Sequence, residues 1–145
     1  MPRTKSHKHA QASCTILTGL TREELLLLCD EAAVQAASVQ FSIHRGESRP
    51  EIAEYIVRTR IGGIGKLGEK MTIRVDLADA SGQTRIRTSI ARYTMKRAWP
   101  LPWEMLAWRN YKNFMATLAM LVTSRDPNCT ANIIETASPS TPGRI

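Results

Sequence analysis

The chain has 145 residues, 43% of them hydrophobic and 23% charged, the size and composition of one domain that can bury a core without a disulfide or metal staple. Its net charge is +7, but Arg3, Lys5, Lys8 and Arg144 lie near the ends, and the other 16 basic residues face 13 acids. That leaves too little bulk charge to argue nucleic-acid binding. Cys14, Cys29 and Cys129 are odd in number, far apart and form no C-x-x-C, so reduced, core-like thiols in a cytoplasmic setting are expected, with no cofactor.

No apolar run is long enough to span a membrane, and polar residues follow the basic start where a signal peptide needs an apolar stretch. Residues 1–11 read as a disordered basic tail. His7 and His9 lie in it without a third ligand, so no metal site is expected. Residues 12–18 form a candidate first strand, placed at a sheet edge.

Thr21 is a candidate helix N-cap, and Glu24, three residues on, completes a capping box. The helix is expected to reach about residue 37. Leu25, Leu28, Cys29, Ala32, Val34 and Ala36 supply its apolar face; Glu23, Glu24, Asp30 and Glu31 face solvent. Residues 39–43 alternate with period two, pointing Val39, Phe41 and Ile43 inward, and residues 46–50 read as a turn.

Three strands follow, over 53–61, 71–77 and 84–90. Ala53, Tyr55, Val57, Met71, Ile73, Val75, Leu77, Ile86, Thr88 and Ile90 point to one face. Glu54, Arg58, Arg60, Thr72, Arg74, Asp76, Arg85 and Arg87 point to the other, because a one-residue slip would bury the arginines. The first two strands are joined by a Gly-rich segment, 62–68, the second pair by a tight turn over 79–82. Pro100 and Pro102 interrupt the chain, and a second helix is expected over 103–123, with Met105, Trp108, Tyr111, Met115, Leu118 and Val122 on its apolar stripe. Residues 129–135 form a candidate short strand and 136–145 a disordered tail. The fold class is α+β: one domain over 12–135, ordered β-α-β-β-β-β-α, with both helices on one face of an antiparallel sheet.

Charge divides along the chain. Residues 19–57 hold three arginines and seven acids; residues 58–112 hold twelve Lys or Arg and four acids. Arg58, Arg60, Arg74, Arg85 and Arg87 would share the outer sheet face as a surface for an anionic partner. No Phe or Trp joins them to stack bases, so a solvated face with cross-strand ion pairs competes with that reading. Gly63-Ile64-Gly65-Lys66-Leu67-Gly68 matches G-x-G-x-x-G in letters, but a strand follows it where a nucleotide site needs a helix N-terminus. Ile64 and Leu67 on that loop could cover an apolar cavity. Trp99, Trp103 and Trp108 either line a pocket at the helix entry or anchor the helix. His44 has no Ser or Cys partner nearby, and no paired acids sit in an apolar context, so no catalytic residue is expected.

The span from Arg58 to Val122 resembles a group of small bacterial domains of unknown function. In these a strand leads to a loop ending in Gly-Glu, two strands follow around a glycine turn, and a helix opens with a D-W-G-x-N-x-x-N-like segment. Gly68-Glu69-Lys70-Met71-Thr72-Ile73 and Trp108-Arg109-Asn110-Tyr111-Lys112-Asn113-Phe114 stand in those places, with Trp108-Arg109 replacing Trp-Gly. The resemblance implies a helix-grip or TBP-like arrangement of sheet and helix, and no assigned reaction.

Two functions from different classes follow. One is non-catalytic binding of an apolar, lipid-like small molecule between the sheet and the C-terminal helix, at Tyr55, Ile64, Leu67, Trp103, Trp108 and Tyr111. The other is an interaction module that sets its Arg-rich sheet face on an acidic protein, membrane surface or nucleic acid. The sequence does not set the oligomeric state.

Overall fold

The computed structural model describes residues 7–60 and 68–136; the expectations for Ile64, Lys66 and Leu67, and for residues 1–6 and 137–145 of the two tails, fall outside them. The elements are β1 (Ser13–Thr18), α1 (Arg22–Ala36), β2 (Phe41–Arg49), β3 (Ile52–Thr59), β4 (Glu69–Ala80), β5 (Gln83–Tyr93), β6 (Met95–Lys96), β7 (Glu104–Met105), α2 (Trp108–Arg125) and β8 (Thr130–Ile134). Six strands form one antiparallel sheet in the order β2-β3-β4-β5-β1-β8, and β6 pairs with β7 apart from it. The fold is α+β with both helices on one sheet face.

The period-two pattern sets the sheet's two faces. Ala53, Tyr55, Val57, Met71, Ile73, Val75, Leu77 and Ile86 are all buried. Register pairs Tyr55 with Ile73 and Val75 with Thr88 on that face, and Glu54 with Arg74 and Asp76 with Arg87 on the other. A register shift at Thr72/Ile73 leaves Ile90 only half-buried. The β4–β5 hairpin turns on Ser81 and Gly82, both at positive φ (51° and 83°), the backbone that a two-residue turn needs to match strand twist.

Thr21 caps α1 as the sequence predicts. Its hydroxyl accepts from the Glu24 amide at 3.1 Å, and the Glu24 carboxylate accepts from the Thr21 amide at 3.1 Å. Leu25, Leu28, Cys29, Ala32, Ala33 and Ala36 are the buried face. Val34, expected there, is 74% exposed, because it falls about 100° from Ala33 around the helix. Asp30, expected in solvent, accepts from the Tyr55 hydroxyl at 2.6 Å and pairs with Arg45 at 3.3 Å.

Four further expectations are corrected. Strand β2 begins at Phe41 and leaves Val39 exposed; it runs through the expected 46–50 turn to Arg49, with a bulge between Arg45 and Ser48 that absorbs Gly46. A Cβ on Gly46 would lie 3.2 Å from the Ile56 side chain. Strand β1 is interior, because β8 pairs along its free side. Helix α2 starts at Trp108, five residues later than the apolar stripe implies. Residues 104 and 105 extend against β6, the Leu106 amide donates to the Thr94 carbonyl at 2.8 Å, and Ala107 sits at φ 65°, which ends the extended ribbon where the helix begins. Of the tail expected over 1–11, residues 7–11 are described and form a hydrogen-bonded turn, in which the Ala10 and Ala12 amides donate to the His7 and His9 carbonyls.

The core is continuous between sheet and helices. Tyr55, Tyr111, Phe114, Met115 and Leu118 are fully buried, and the Tyr55 and Phe114 rings lie 5.5 Å apart. The Tyr111 hydroxyl reaches across to the Ala12 carbonyl and Thr88, each at 3.0 Å, and Thr88 also accepts from the Cys14 amide. Tyr111 thereby fastens α2 to β5 and to the residue before β1, and among the described residues no buried side-chain N or O lacks a partner.

Candidate functional site at the start of the second helix

Where α2 begins, the end of α1, the N-terminal turn and the β6–β7 ribbon meet around a cleft of about 710 Å³, within the range of small-molecule sites. Asn110 builds its floor. This residue is buried, and its side-chain amide donates to the Ala36 carbonyl at 2.9 Å and the Ser38 hydroxyl at 3.2 Å. A carbonyl can only accept, so the amide nitrogen is the atom that faces it. Asn110 therefore ties the first turn of α2 to the last turn of α1. Ser38 is held in turn: its hydroxyl accepts from the Phe41 amide and its carbonyl from the Arg60 guanidinium at 2.6 Å.

An aromatic wall stands on one side. The His9 ring stacks on Trp108 at 3.8 Å between centroids and 2° between planes, and Trp108 meets Tyr111 edge-on at 6.1 Å. His9 Nδ1 lies 2.7 Å from the Glu135 carbonyl; that oxygen only accepts, so Nδ1 carries the proton. The His9 backbone amide donates to His7 Nδ1 at 3.2 Å, which places the proton of neutral His7 on Nε2. Burial, with the His9 ring next, lowers the His7 pKa below its ordinary 6.5, against an opposing hydrogen bond to the Trp103 backbone.

The opening is cationic. Lys8, Lys96 and Arg109 line it, with Glu104 the one carboxylate among the lining residues. Among the described residues none of the three cations has an ion-pair partner. Trp103 borders the same opening and is 53% exposed.

Of the residues singled out from the sequence, Trp103 and Trp108 meet at this cleft. Tyr55 and Tyr111 instead fill the space between sheet and helix, and burial pushes both phenol pKa values far above 10.0. Trp99, at 81% exposed, anchors nothing. Of the five arginines, Arg58, Arg74, Arg85 and Arg87 lie on strands of the outer sheet face, mixed with acids, and Arg60 lies past the end of β3. Arg58 pairs with Glu69 at 3.7 Å and Arg74 with Asp76 at 3.0 Å, Arg87 stands opposite Asp76, and Arg60 turns to Ser38. Arg85 and Arg87 are exposed. The residues that sequence reasoning missed are His7, His9, Ser38 and Asn110. His9 and Trp108 stack across 99 positions of chain, and no local pattern marks such a pair.

Fold and cleft together define a small α+β domain with an open, aromatic-walled, cationic cleft at the entry to its C-terminal helix. No protein-family model matches the chain, and no curated protein sequence matches it significantly.

Proposed function

We propose that the protein is a non-catalytic binding domain whose cleft takes a small amphiphilic anion. The observation that carries this reading is the pairing of a flat His9–Trp108 wall with three cations around one opening, none of which has an ion-pair partner among the described residues. An indole face supplies apolar and stacking contact. Cations without protein partners favour a carboxylate, sulfonate or phosphate at the other end of the ligand. The lipid-like ligand class expected from the sequence is retained with an acidic end added, and the binding place is the start of α2, beside the packed Tyr55–Phe114 layer.

A fluorescence titration with anilinonaphthalene sulfonate, an aromatic anion, tests the reading. A single saturable site is expected, weakened about tenfold by Lys96→Gln with Arg109→Gln, the loss of roughly one charge-assisted contact. No saturable signal, or equal affinity in the double variant, would contradict it.

A further inference from the structure

The segment between β6 and β7 exposes three large apolar side chains: Trp99 at 81%, Leu101 at 58% and Trp103 at 53%. They occupy alternate positions, separated by Pro100 and Pro102, so the tip gains no helix or sheet partner for its backbone. It is nevertheless a built loop. The Leu101 amide donates to the Ala98 carbonyl at 2.7 Å, and Arg97 Nε donates to the Leu101 carbonyl at 3.0 Å. The Arg97 guanidinium lies 4.9 Å from the Trp99 ring and 5.9 Å from the Trp103 ring, within cation–π reach of both. The β6–β7 ribbon clamps its base.

We propose that this loop docks the protein on an anionic lipid bilayer. The indoles and leucine would enter the zone between headgroups and acyl chains, where Trp is favoured because it offers an apolar body and one N–H. Arg97 adjoins them, and Lys96 at the loop base stands opposite Glu104; residues 97–103 contain Arg97 and no carboxylate, so the charge of the tip itself complements lipid phosphates. A preformed loop loses little conformational entropy on docking. The loop shares Lys96 and Trp103 with the cleft, but Arg97, Trp99 and Leu101, on which the test rests, lie outside the cleft lining.

The test is co-sedimentation of the full chain with phosphatidylcholine vesicles, with and without about 30% phosphatidylglycerol. Binding to the anionic vesicles is expected, with blue-shifted tryptophan emission. Trp99→Ser and Leu101→Ser should each weaken it about tenfold, and Arg97→Gln should weaken it further. Since these side chains are exposed, the variants should melt like the parent. Arg85→Gln with Arg87→Gln should leave most binding in place. Three results would each overturn the proposal. One is no vesicle binding at low salt. A second is binding that survives Trp99→Ser and Leu101→Ser, which would assign it to basic charge elsewhere. The third is a concentration-dependent dimer, abolished by Trp99→Ser, in a protein that ignores vesicles; the loop would then dock a second copy of the chain.

Discussion

Replacing Asn110 by Asp changes one atom's chemistry at the junction of the two helices. The Asn110 amide now donates to the Ala36 carbonyl at 2.9 Å and the Ser38 hydroxyl at 3.2 Å. A carboxylate of the same shape would set an acceptor against the Ala36 carbonyl and bury a charge at a 6% exposed position. Leaving a buried acceptor unsatisfied costs about 1–3 kcal/mol, more when a charge is involved, so a loss of about 3 kcal/mol is expected near pH 7. For a chain of this size that is about 9 °C of melting temperature. The sign of the pH dependence is also fixed. Burial raises the new carboxyl's pKa above its unfolded value, so the folded state gains a proton first as pH falls. The protonated acid can donate to Ala36, and the gap to the parent protein should narrow from pH 7 toward pH 5. Asn110→Ala should show a smaller gap that does not change with pH. The assay is thermal melting of the three proteins at both values. An Asp variant no less stable than the Ala variant at pH 7 would show that the amide does not hold the helices together.

Ile73→Asp should prevent folding, because it places an unpaired carboxylate in the sheet's buried face, whereas Arg74→Gln should melt within about 1 °C of the parent since exposed ion pairs contribute little; equal melts would refute the register. Stability should decline as pH rises above about 9. Burial lifts the Cys14 thiol to about 12 and raises Cys29, Tyr55 and Tyr111 above their ordinary values. The unfolded chain therefore loses those protons first and is favoured in alkali; urea midpoints that stay flat from pH 8 to pH 10 would contradict this. By the same reasoning, a thiol reagent at pH 8 should label the half-exposed Cys129 first, and simultaneous labelling of all three cysteines in the native protein would show that β1 and α1 open freely.

The sheet was legible because its information is local. Alternation over β3, β4 and β5, with arginines on one face, marks the register except at the shift beside Thr72, which was expected outside and is buried. The capping box at Thr21 and Glu24 likewise lies within one turn. The start of α2 was not legible, because Met105 and Trp103 continue the helical spacing although a backbone bond from Leu106 to Thr94 holds that stretch extended. The role of Asp30 was hidden because it lies on α1 and its partners, Tyr55 and Arg45, come from strands β3 and β2. The cleft was the least legible feature. Its wall joins His9 to Trp108 and its floor joins Asn110 to Ala36, contacts that exist only after the termini of both helices have been brought together.

The central claim is that the cleft at the start of α2 is a ligand site. Amide chemical shifts followed during a titration with anilinonaphthalene sulfonate test it most directly. Saturating shifts confined to His9, Ser38, Trp108, Arg109, Asn110 and Asn113 and their neighbours are predicted. Shifts that instead centre on Arg85 and Arg87, or on the layer between Tyr55 and Phe114, or that never saturate, would contradict it.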